Sequence, residues 1–239
     1  MTKKQINQNY NYNLELLNSI DHSYIFANKA INRYEKKEIT PSKPPEEKIK
    51  ALGSLKEKID SIENCNLKNN AKKLIMGDGD ITSPIMLVGE APGELEDNSG
   101  KSFQGEIGSL LRKMLAAISI KIEKVYLTYS INFRPPEDRK PTTQEIKRYS
   151  IILKEHISII NPKIVILMGS TAMEAVTGLN NRISVERGKW NEIILKNKTM
   201  PLMITFNPSY LIRFPENKKY SWEDLKKIRK KIKDLDIKV

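Results

Sequence analysis

Cysteine is almost absent from this sequence, since Cys65 is the only one among its 239 residues. A single thiol cannot form an intramolecular disulfide, which excludes the disulfide-stapled class of small secreted domains. No apolar run approaches the roughly 18 residues needed to span a bilayer, and the polar opening MTKKQINQNYNYN has no apolar signal-peptide core. These absences predict a cytoplasmic protein.

The sequence also lacks the glycine-rich motifs that cradle nucleotide phosphates, because neither GxxxxGK[ST] nor GxGxxG occurs in it. This argues against a nucleotide-binding transferase. Positive charge, in contrast, is plentiful: 41 Lys and Arg residues stand against 29 Asp and Glu residues, a formal net charge of +12. Such an excess suits a polyanionic partner, although a composition rich in Lys and Asn is also what an AT-rich genome produces.

The chain divides into a predicted helical and linker extension, residues 1–60, and one predicted domain, residues 61–239. The segment from Lys36 to Lys48, with its proline-rich stretch at 40–45, indicates a linker, and apolar residues at helical spacing predict a helix from about 45 to 62. In the domain, apolar runs alternate with helical patterns, which predicts a largely parallel sheet covered on both faces. The predicted strands are 85–88, 125–129, 164–168 and 202–206, and the main predicted helices lie near 107–118, 143–160, 172–176 and 222–235.

The stretch from Pro84 to Arg112 is the most informative part of the sequence. Its apolar run at 85–88 predicts a buried strand, and apolar residues at helical spacing predict a helix from Ile107 onward. The loop GEAPG at 89–93 lies between them, and its glycines permit close backbone approach while its proline fixes φ. Such a loop lies at the carboxyl end of a strand, where open α/β sheets bind ligands. The acidic residues of this stretch would repel a phosphate, so they favour a neutral ring as the ligand. The alternative is that the loop only connects a strand to a helix and that its acids are solvated.

The pattern GEAPGELED-x-x-G-K-x-F-x-G-x-x-G-x-L-L, which begins at Gly89, resembles the first motif of the uracil-DNA glycosylase superfamily and is closest to its family 4. Further motifs follow in matching order: RPPEDR at 134–139, the pair Arg187-Gly188, and NPSYLIR at 207–213. The resemblance covers roughly residues 65–235. It implies a three-layer α/β/α sandwich with a short, mostly parallel central sheet. It also implies an enzyme of base-excision repair that hydrolyses the N-glycosidic bond of uracil, or a related deaminated base, in DNA.

The resemblance further implies roles for residues of the first motif. Phe103 aligns with the aromatic residue that stacks on the flipped-out base, with a core phenylalanine as the alternative. Glu90 lies beside the expected water and base site, as either a catalytic or a structural group. Glu96 aligns with an acid near C5 of the base that helps to exclude thymine, although a solvated loop acid fits equally well. The backbone of Gly89 and Ala91 is expected to line the base site.

Two positions depart from the family pattern. Tyr129 stands where family 4 proteins usually have the Asn that reads the uracil edge, so it either narrows the pocket or reads a different base. Asn207 stands where they usually have the His that donates to O2 of the leaving base, and its amide still offers a neutral hydrogen bond. The two histidines of the chain, His22 and His156, lie outside the motifs and are expected to be surface or packing residues.

Basic loop residues around the predicted pocket are expected to contact DNA phosphates, together with the hydroxyl or main-chain N–H of the serine in the last motif. Solubility alone is the other explanation for these charges. The predicted DNA-binding residues are Lys101, Arg134, Arg139, Arg187, Ser209 and Arg213, with Lys189 and Lys218 beside them.

The cysteine content bears on a cofactor. Family 4 proteins usually hold an iron–sulfur cluster with four cysteines, but here the later two positions correspond to Phe133 and Tyr149. One thiolate cannot hold such a cluster, so we predict a branch of the family without it and without another metal. In this branch the two aromatic residues fill the vacated volume and Cys65 is a buried, small apolar residue. The predicted partner is DNA that contains uracil or a deaminated base, and the predicted state is a monomer.

A second hypothesis comes from a different functional class. Because Tyr129 and Asn207 both depart from the pattern, the chain is alternatively a catalytically degenerate glycosylase fold that binds DNA without cleaving it. Turnover of a uracil-containing oligonucleotide distinguishes the two hypotheses.

Overall fold

The structure is a computed structural model that describes residues 45–196 and 198–238. Its strands are β1 (Asp78–Gly79), β2 (Ile85–Gly89), β3 (Tyr126–Tyr129), β4 (Ile164–Met168), β5 (Trp190–Leu195) and β6 (Lys198–Thr205). They form one six-stranded sheet in the order β1-β3-β2-β4-β6-β5. The inner strands β3, β2, β4 and β6 are mutually parallel, whereas β1 and β5 close the two edges in antiparallel pairing.

Helices connect and cover these strands. They are α1 (Pro45–Asp60), α2 (Asn66–Asn70), α3 (Glu94–Ser99), α4 (Gly105–Ala116), α5 (Thr143–Ile160), α6 (Ser170–Thr177), α7 (Ile183–Glu186), α8 (Pro208–Arg213) and α9 (Lys218–Asp234). Short 3₁₀ segments lie at Ile122–Lys124, Pro136–Asp138 and Pro215–Asn217. Within 45–196 and 198–238, no helix is both long enough and apolar enough to cross a bilayer.

Strand β2 shows why the core has two halves. Ile85 and Leu87 belong to one apolar cluster, whereas Met86 and Val88 belong to another, because successive side chains of a strand point to opposite faces. The first cluster includes residues of α4 and α9, and the second includes residues of α5 and α6. The sheet is therefore packed between two helical layers, which confirms the predicted three-layer α/β/α sandwich with a mostly parallel sheet.

Helix α1 docks on this sandwich beside α5. Its Leu55 and Ile59 are almost fully buried in a third apolar cluster that also contains Tyr149 of α5. The ammonium of Lys48 donates to the carbonyl oxygen of Ile160 at 2.7 Å, where α5 ends and where the helix dipole favours a cation. The last helix of the predicted extension thus packs on the domain, and residues 1–44 of that prediction lie outside the described residues.

Several elements were not predicted from the sequence, namely β1, β5, α2, α3, α7, α8 and the three 3₁₀ segments. Strand β5 begins at Trp190 and is an edge strand hydrogen-bonded to β6 on one side only. An edge strand buries few side chains, and only Ile193 of β5 is fully buried, so its sequence carries no continuous apolar run. Helix α3 lies in the acidic segment that follows the GEAPG loop. Its first turn holds Glu94, Glu96 and Asp97, which suits a helix N-terminus.

Candidate active site

A cavity of about 800 Å³ opens at the carboxyl ends of the parallel strands. The segments that follow β2, β3, β4 and β6 each supply part of its wall, because parallel strands end at the same edge of a sheet. It therefore brings together the first and last motifs, which lie about a hundred residues apart in the sequence. The lining residues are 90–96, Phe103, Gln104, Glu106, Ile107, Tyr129, Pro135, 138–141, 169–171, Ile183, Phe206, Asn207, Ser209, Tyr210, Ile212 and Arg213.

Phe103 and Tyr129 form a stacked pair in the wall of this cavity. Their ring centroids lie 4.7 Å apart and their planes are inclined by 20°. The Tyr129 hydroxyl accepts a hydrogen bond from the backbone N–H of Phe103 at 2.9 Å. Phe103 has φ +51°, a left-handed conformation that is uncommon outside glycine, and this hydrogen bond holds it there. The ring of Phe103 lines the cavity but the residue is only 1% exposed, because it packs in the apolar core, where Tyr129 covers one face of the ring.

Gly89 allows this pair to approach the end of β2. A Cβ atom on Gly89 would lie 2.8 Å from Phe103 Cζ and 2.8 Å from Tyr129 Cδ1, closer than carbon atoms pack. The carbonyl oxygen of Gly89 accepts hydrogen bonds from the N–H and the hydroxyl of Ser130 at 2.9 and 2.7 Å. Gly89 therefore shapes the wall through the close approach of its backbone but does not itself line the cavity, whereas the half-buried Ala91 does.

Glu96 fastens both ends of the loop that carries Phe103. Its Oε2 accepts from the N–H of Gly93 at 3.0 Å, and its Oε1 accepts from the N–H of Gln104 at 2.7 Å. The side chain is buried, and its carboxylate lies near the Tyr129 hydroxyl. Burial, followed by this nearby carboxylate, raises the pKa of Tyr129 far above its usual value, so the phenol stays protonated. Both carboxylate oxygens of Glu96 are thus engaged with the backbone, and its expected role beside C5 of a base stays a prediction.

Glu90 joins the loop after β2 to the helix after β4. Its Oε1 accepts from the N–H of Thr171 at 3.0 Å and from the hydroxyl of Ser170 at 3.3 Å, at the positive N-terminal end of α6. Gly169 makes room for this contact, since a Cβ there would lie 2.3 Å from Glu90 Cδ. Within the described part of the chain, the other oxygen, Oε2, has no hydrogen-bond partner, and the residue lines the cavity. A fixed carboxylate with one open oxygen is able to bind and orient a water molecule.

Asn207 presents a fixed amide to the same cavity. Its Oδ1 accepts from the N–H of Ser209 at 3.0 Å and so caps α8. Its Nδ2 donates to the carbonyl oxygen of Met168 at 3.3 Å. Because Oδ1 faces an N–H group and Nδ2 faces a carbonyl, the orientation of the amide is determined. An amide nitrogen has two hydrogens, and the second has no acceptor among the described residues, which leaves one donor for a ligand.

Two of the predicted DNA-binding arginines form local ion pairs beside the cavity. Arg134 makes a bidentate contact with Asp138 at 2.8 and 2.9 Å. Arg139, which lines the cavity, makes a bidentate contact with Glu145 at 2.9 and 2.7 Å. Both guanidinium groups remain partly exposed, so they retain donors that face solvent, and phosphate contact stays a prediction for both.

Arg187 was expected to face DNA, and the structure corrects this expectation. Its guanidinium makes a bidentate ion pair with Asp224 of α9, whose side chain is fully buried. The carboxylate also accepts from the Thr205 hydroxyl at 2.8 Å, and the guanidinium donates to the carbonyl oxygen of Tyr220. An uncompensated buried carboxylate is costly, so Arg187 serves the contact between β6 and α9 and does not line the cavity.

The remaining predicted DNA contacts differ in position. Arg213 ends α8, lines the cavity, is exposed and has no ion-pair partner in the described part of the chain. Lys101 is exposed just before Phe103 but does not line the cavity. Ser209 lines the cavity, yet its N–H already donates to Asn207. The phosphate contact was expected from either the hydroxyl or the main-chain N–H of Ser209, and only the hydroxyl is therefore available for it.

Several lining residues were not identified from the sequence. Ser170 and Thr171, which bind Glu90, follow the buried strand β4 directly, and this position alone was the available signal. Phe206 and Tyr210 stack on each other with centroids 4.8 Å apart. They flank Asn207 in sequence, so the last motif contributes aromatic rings as well as polar groups to the cavity wall.

The surroundings of Cys65 decide whether a four-cysteine cluster fits. The Cys65 sulfur lies 3.4 Å from the Tyr149 hydroxyl, and both residues are buried in one apolar cluster with Phe133. No three His, Cys, Asp or Glu side chains of the described part of the chain are grouped to hold a metal ion. Two of the positions where the resemblance expects cysteine ligands hold Phe133 and Tyr149, so the described residues offer one thiolate where the cluster takes four, and they do not fit the cluster.

Comparison with known proteins agrees with this geometry. The sequence profile of the uracil DNA glycosylase superfamily matches residues 76–228. The Type-4 uracil-DNA glycosylase of Thermotoga maritima is 34% identical over 180 residues, which cover 74% of this chain and 92% of that protein. The proteins of the same name from Archaeoglobus fulgidus and Sulfurisphaera tokodaii are 30% and 34% identical, each over 75% of this chain and over 92% and 84% of their own lengths.

Proposed function

This chain belongs to the uracil-DNA glycosylase superfamily, and we propose that it hydrolyses the N-glycosidic bond of uracil, or of a related deaminated base, in DNA. One observation carries the proposal beyond family membership. Glu90 and Asn207, from opposite ends of the domain sequence, line one cavity with an open carboxylate oxygen and an open amide hydrogen. Base excision requires these two polar functions, because one group must orient the attacking water and another must donate a hydrogen bond to the leaving base.

Excision begins when the target nucleotide leaves the helical stack and its base enters the cavity. As the bond between the base and C1′ breaks, the sugar gains oxocarbenium character and the base leaves as an anion. A donor fixed in advance at the developing negative charge lowers the barrier, because it needs no reorganisation during the reaction. Asn207 meets this requirement, since its amide is held by Ser209 and Met168.

Glu90 would serve the other side of the reaction. Its Oε1 is held at the N-terminus of α6, and its Oε2 has no hydrogen-bond partner in the described part of the chain, while the residue lines the cavity. A water molecule bound to that oxygen is oriented for attack on C1′, and the negative charge also favours the cationic sugar. Water supplies the hydroxyl group on C1′, and its proton passes to solvent or to the leaving base.

Tyr129 would shape the base pocket without reading the base edge. Its hydroxyl accepts from the Phe103 backbone and lies beside Glu96, so it is directed into the protein wall. Its ring stacks on one face of Phe103, so a bound base would contact only the remaining surface of that wall. The proposed pocket is therefore narrower than one built around an asparagine at this position, and base selection rests on shape and on Asn207.

The direct test is incubation of the protein with single- and double-stranded oligonucleotides that contain uracil, followed by alkali to cleave abasic sites. Asn207→Ser keeps a good helix cap but removes the amide donor, so we expect kcat to fall by about 10²–10³ while the melting temperature stays close to the parent value. Glu90→Gln should also reduce kcat, whereas Glu94→Gln, an exposed acid on the same cavity, should not. Absence of abasic sites with uracil, hypoxanthine and xanthine would overturn the proposal.

The stacking of Tyr129 on Phe103, with Phe103 only 1% exposed, favours a second candidate: a DNA-binding module that has lost catalysis. It expects salt-sensitive DNA binding without turnover. It also expects that Tyr129→Asn together with Asn207→His creates activity where the parent chain has none. Turnover by the parent chain excludes this candidate.

The proposal also covers the cofactor, the oligomeric state and the cellular location of the protein. We propose that the chain belongs to a branch of the superfamily that works without an iron–sulfur cluster, as a monomer, in the cytoplasm, on DNA that contains uracil. The contact of Cys65 with Tyr149 supports the first point, and a lone cysteine suits a reducing compartment. Metal analysis of the purified protein and its elution volume on size-exclusion chromatography test the first two points.

A further inference from the structure

Three aromatic rings form a continuous column that leads from the cavity to the surface. Phe206 stacks on Tyr210 with centroids 4.8 Å apart, and Tyr210 packs on Phe214 with centroids 4.9 Å apart. The spacing of four residues places Tyr210 and Phe214 one above the other along and just beyond α8. The Tyr210 hydroxyl is held by the side-chain amide of Asn217 at 3.2 Å, so the middle ring of the column is fixed.

Exposure rises steadily along this column. Phe206 is buried and lines the cavity, Tyr210 is half-buried and also lines it, and Phe214 is 44% exposed at the outer end. No aromatic ring of the described part of the chain covers the outer face of Phe214, whose ring contact is with Tyr210. A large apolar ring held open in this way, beside a ligand cavity, offers a stacking surface to another flat group.

The charges around Phe214 select the kind of partner. Arg213, Lys218 and Lys219 are exposed within five residues of it along the chain, and Glu216 is the one acid in that stretch. Arg213 also lines the cavity and has no ion-pair partner in the part of the chain that the structure describes. An exposed aromatic ring among cations is the combination that binds unpaired nucleic acid, since bases stack on the ring and phosphates meet the charges.

We propose that Phe214 is a stacking platform for the nucleobase next to the target nucleotide in single-stranded DNA, with Arg213 at the phosphate between the two. The inference rests on the proposed function, because the target base is taken to occupy the cavity. A single strand is the partner that fits, since its bases have open faces, whereas a duplex must first break its own stacking to offer one. The column then continues the stacking of the strand up to the edge of the cavity.

The test measures the affinity of the full chain for a single-stranded oligonucleotide whose target is 2′-fluoro-2′-deoxyuridine, which resists hydrolysis. Phe214→Ala should raise Kd about tenfold, the size expected for loss of one stacked base. Phe214→Trp should stay within threefold of the parent value, because it keeps a stacking ring. Trp222→Ala is the matched control, since Trp222 is an equally exposed aromatic (42%) outside the column, and it should leave Kd within twofold.

A second measurement locates the contact. An oligonucleotide with 5-iododeoxycytidine next to the target should crosslink to residue 214 on irradiation, as mapped by mass spectrometry, and Phe214→Ala should abolish that crosslink. The inference is overturned if Phe214→Ala stays within twofold of the parent on the single strand, if Trp222→Ala costs as much, or if the loss is equally large on duplex DNA. Crosslinking confined to other residues also overturns it.

The two proposals fail in different ways. Abasic-site formation by the parent chain from an ordinary uracil oligonucleotide tests excision alone. Its outcome is independent of the affinity measured for Phe214→Ala. Excision with unchanged Phe214→Ala affinity would defeat the stacking platform only. Loss of affinity in Phe214→Ala without excision by the parent chain would defeat the catalytic proposal and leave a DNA-binding surface.

Discussion

The hydroxyl of Tyr129 accepts a hydrogen bond from the backbone N–H of Phe103 at 2.9 Å, and the two rings stack with centroids 4.7 Å apart. One side chain thus fixes both the backbone and the ring of the residue that was expected to stack on a flipped base. Tyr129 acts on the cavity through Phe103, which makes it a positioning residue for whatever the cavity binds.

The first prediction separates the hydroxyl of Tyr129 from its ring. Tyr129→Phe keeps the stacking but leaves the buried N–H of Phe103 without an acceptor, and we expect a loss of about 1–3 kcal/mol in the free energy of unfolding. Urea denaturation measures this loss, and steady-state kinetics should show a lower kcat because the Phe103 backbone is no longer held at positive φ. An unchanged urea midpoint would show that the hydrogen bond does not stabilise the wall.

The second prediction concerns Gly89, whose missing Cβ makes room for both rings. Gly89→Ala places a methyl group 2.8 Å from Phe103 Cζ and from Tyr129 Cδ1, and overpacking of this kind costs about 1–3 kcal/mol. We expect a lower melting temperature together with reduced excision.

Gly53→Ala is the matched control for this change. Gly53 lies in α1, and a Cβ there would meet no atom within 4 Å, so alanine should stabilise the helix by up to about 1 kcal/mol. Equal effects of the two substitutions would contradict the close approach at Gly89.

The third prediction distinguishes two arginines that the sequence presents alike. Arg187→Met leaves the buried Asp224 carboxylate without its partner, which should cost about 3–5 kcal/mol of stability. Arg213→Met should change stability by less than about 0.5 kcal/mol but weaken DNA binding and lower the slope of log Kd against log salt by about one. Denaturant titration and DNA binding at several salt concentrations measure the two effects.

The double variant Arg187→Met with Asp224→Leu gives the control for the ion pair. It removes both charges together, and an apolar pair of similar volume is often as stable as the buried ion pair that it replaces. Stability should therefore recover relative to Arg187→Met alone. A change in the salt slope with Arg187→Met would instead return Arg187 to the DNA-binding surface.

The fourth prediction is a pH dependence that originates at His156. Burial lowers the pKa of His156 from 6.5 to about 4, and its Nε2 lies 2.9 Å from the Tyr126 hydroxyl. Between pH 4 and 6.5 the unfolded chain binds a proton at this histidine and the folded chain does not, so stability falls as pH falls through that window. The contribution lost between pH 7 and pH 5 is about 2 kcal/mol.

Urea denaturation at pH 7 and pH 5 tests this assignment. His156→Gln removes the titrating group and should flatten the pH dependence by about 2 kcal/mol relative to the parent chain. His22→Gln is the control for the other histidine of the chain. If His22→Gln flattens the profile and His156→Gln does not, the assignment to His156 is wrong.

The sequence predicted the elements whose burial is complete. The run Ile85–Val88 and the run Ile164–Met168 are buried on both faces, so every residue had to be apolar and the pattern was continuous. Strand β5 escaped prediction because it lies at an edge of the sheet and only its Ile193 is buried, while Glu192 and Ile194 are exposed, so it has no continuous run of buried apolar residues. The hydrophobic pattern of a sequence reflects which residues are buried, so it gives a weaker signal for a strand that is only partly buried.

By itself, the sequence determined the alternation of the four core strands with helices, and therefore the sheet edge at which the loops after β2 and β6 meet. It also determined the family through motifs whose spacing is local. Only the tertiary structure decided that Arg187 points inward to Asp224 while Arg213 faces the cavity, and that Tyr129 covers a face of Phe103. The physical reason is that a side chain's partner is set by distance in space, and Arg187 and Asp224 are brought together by the packing of α9 on the sheet, which no local pattern encodes.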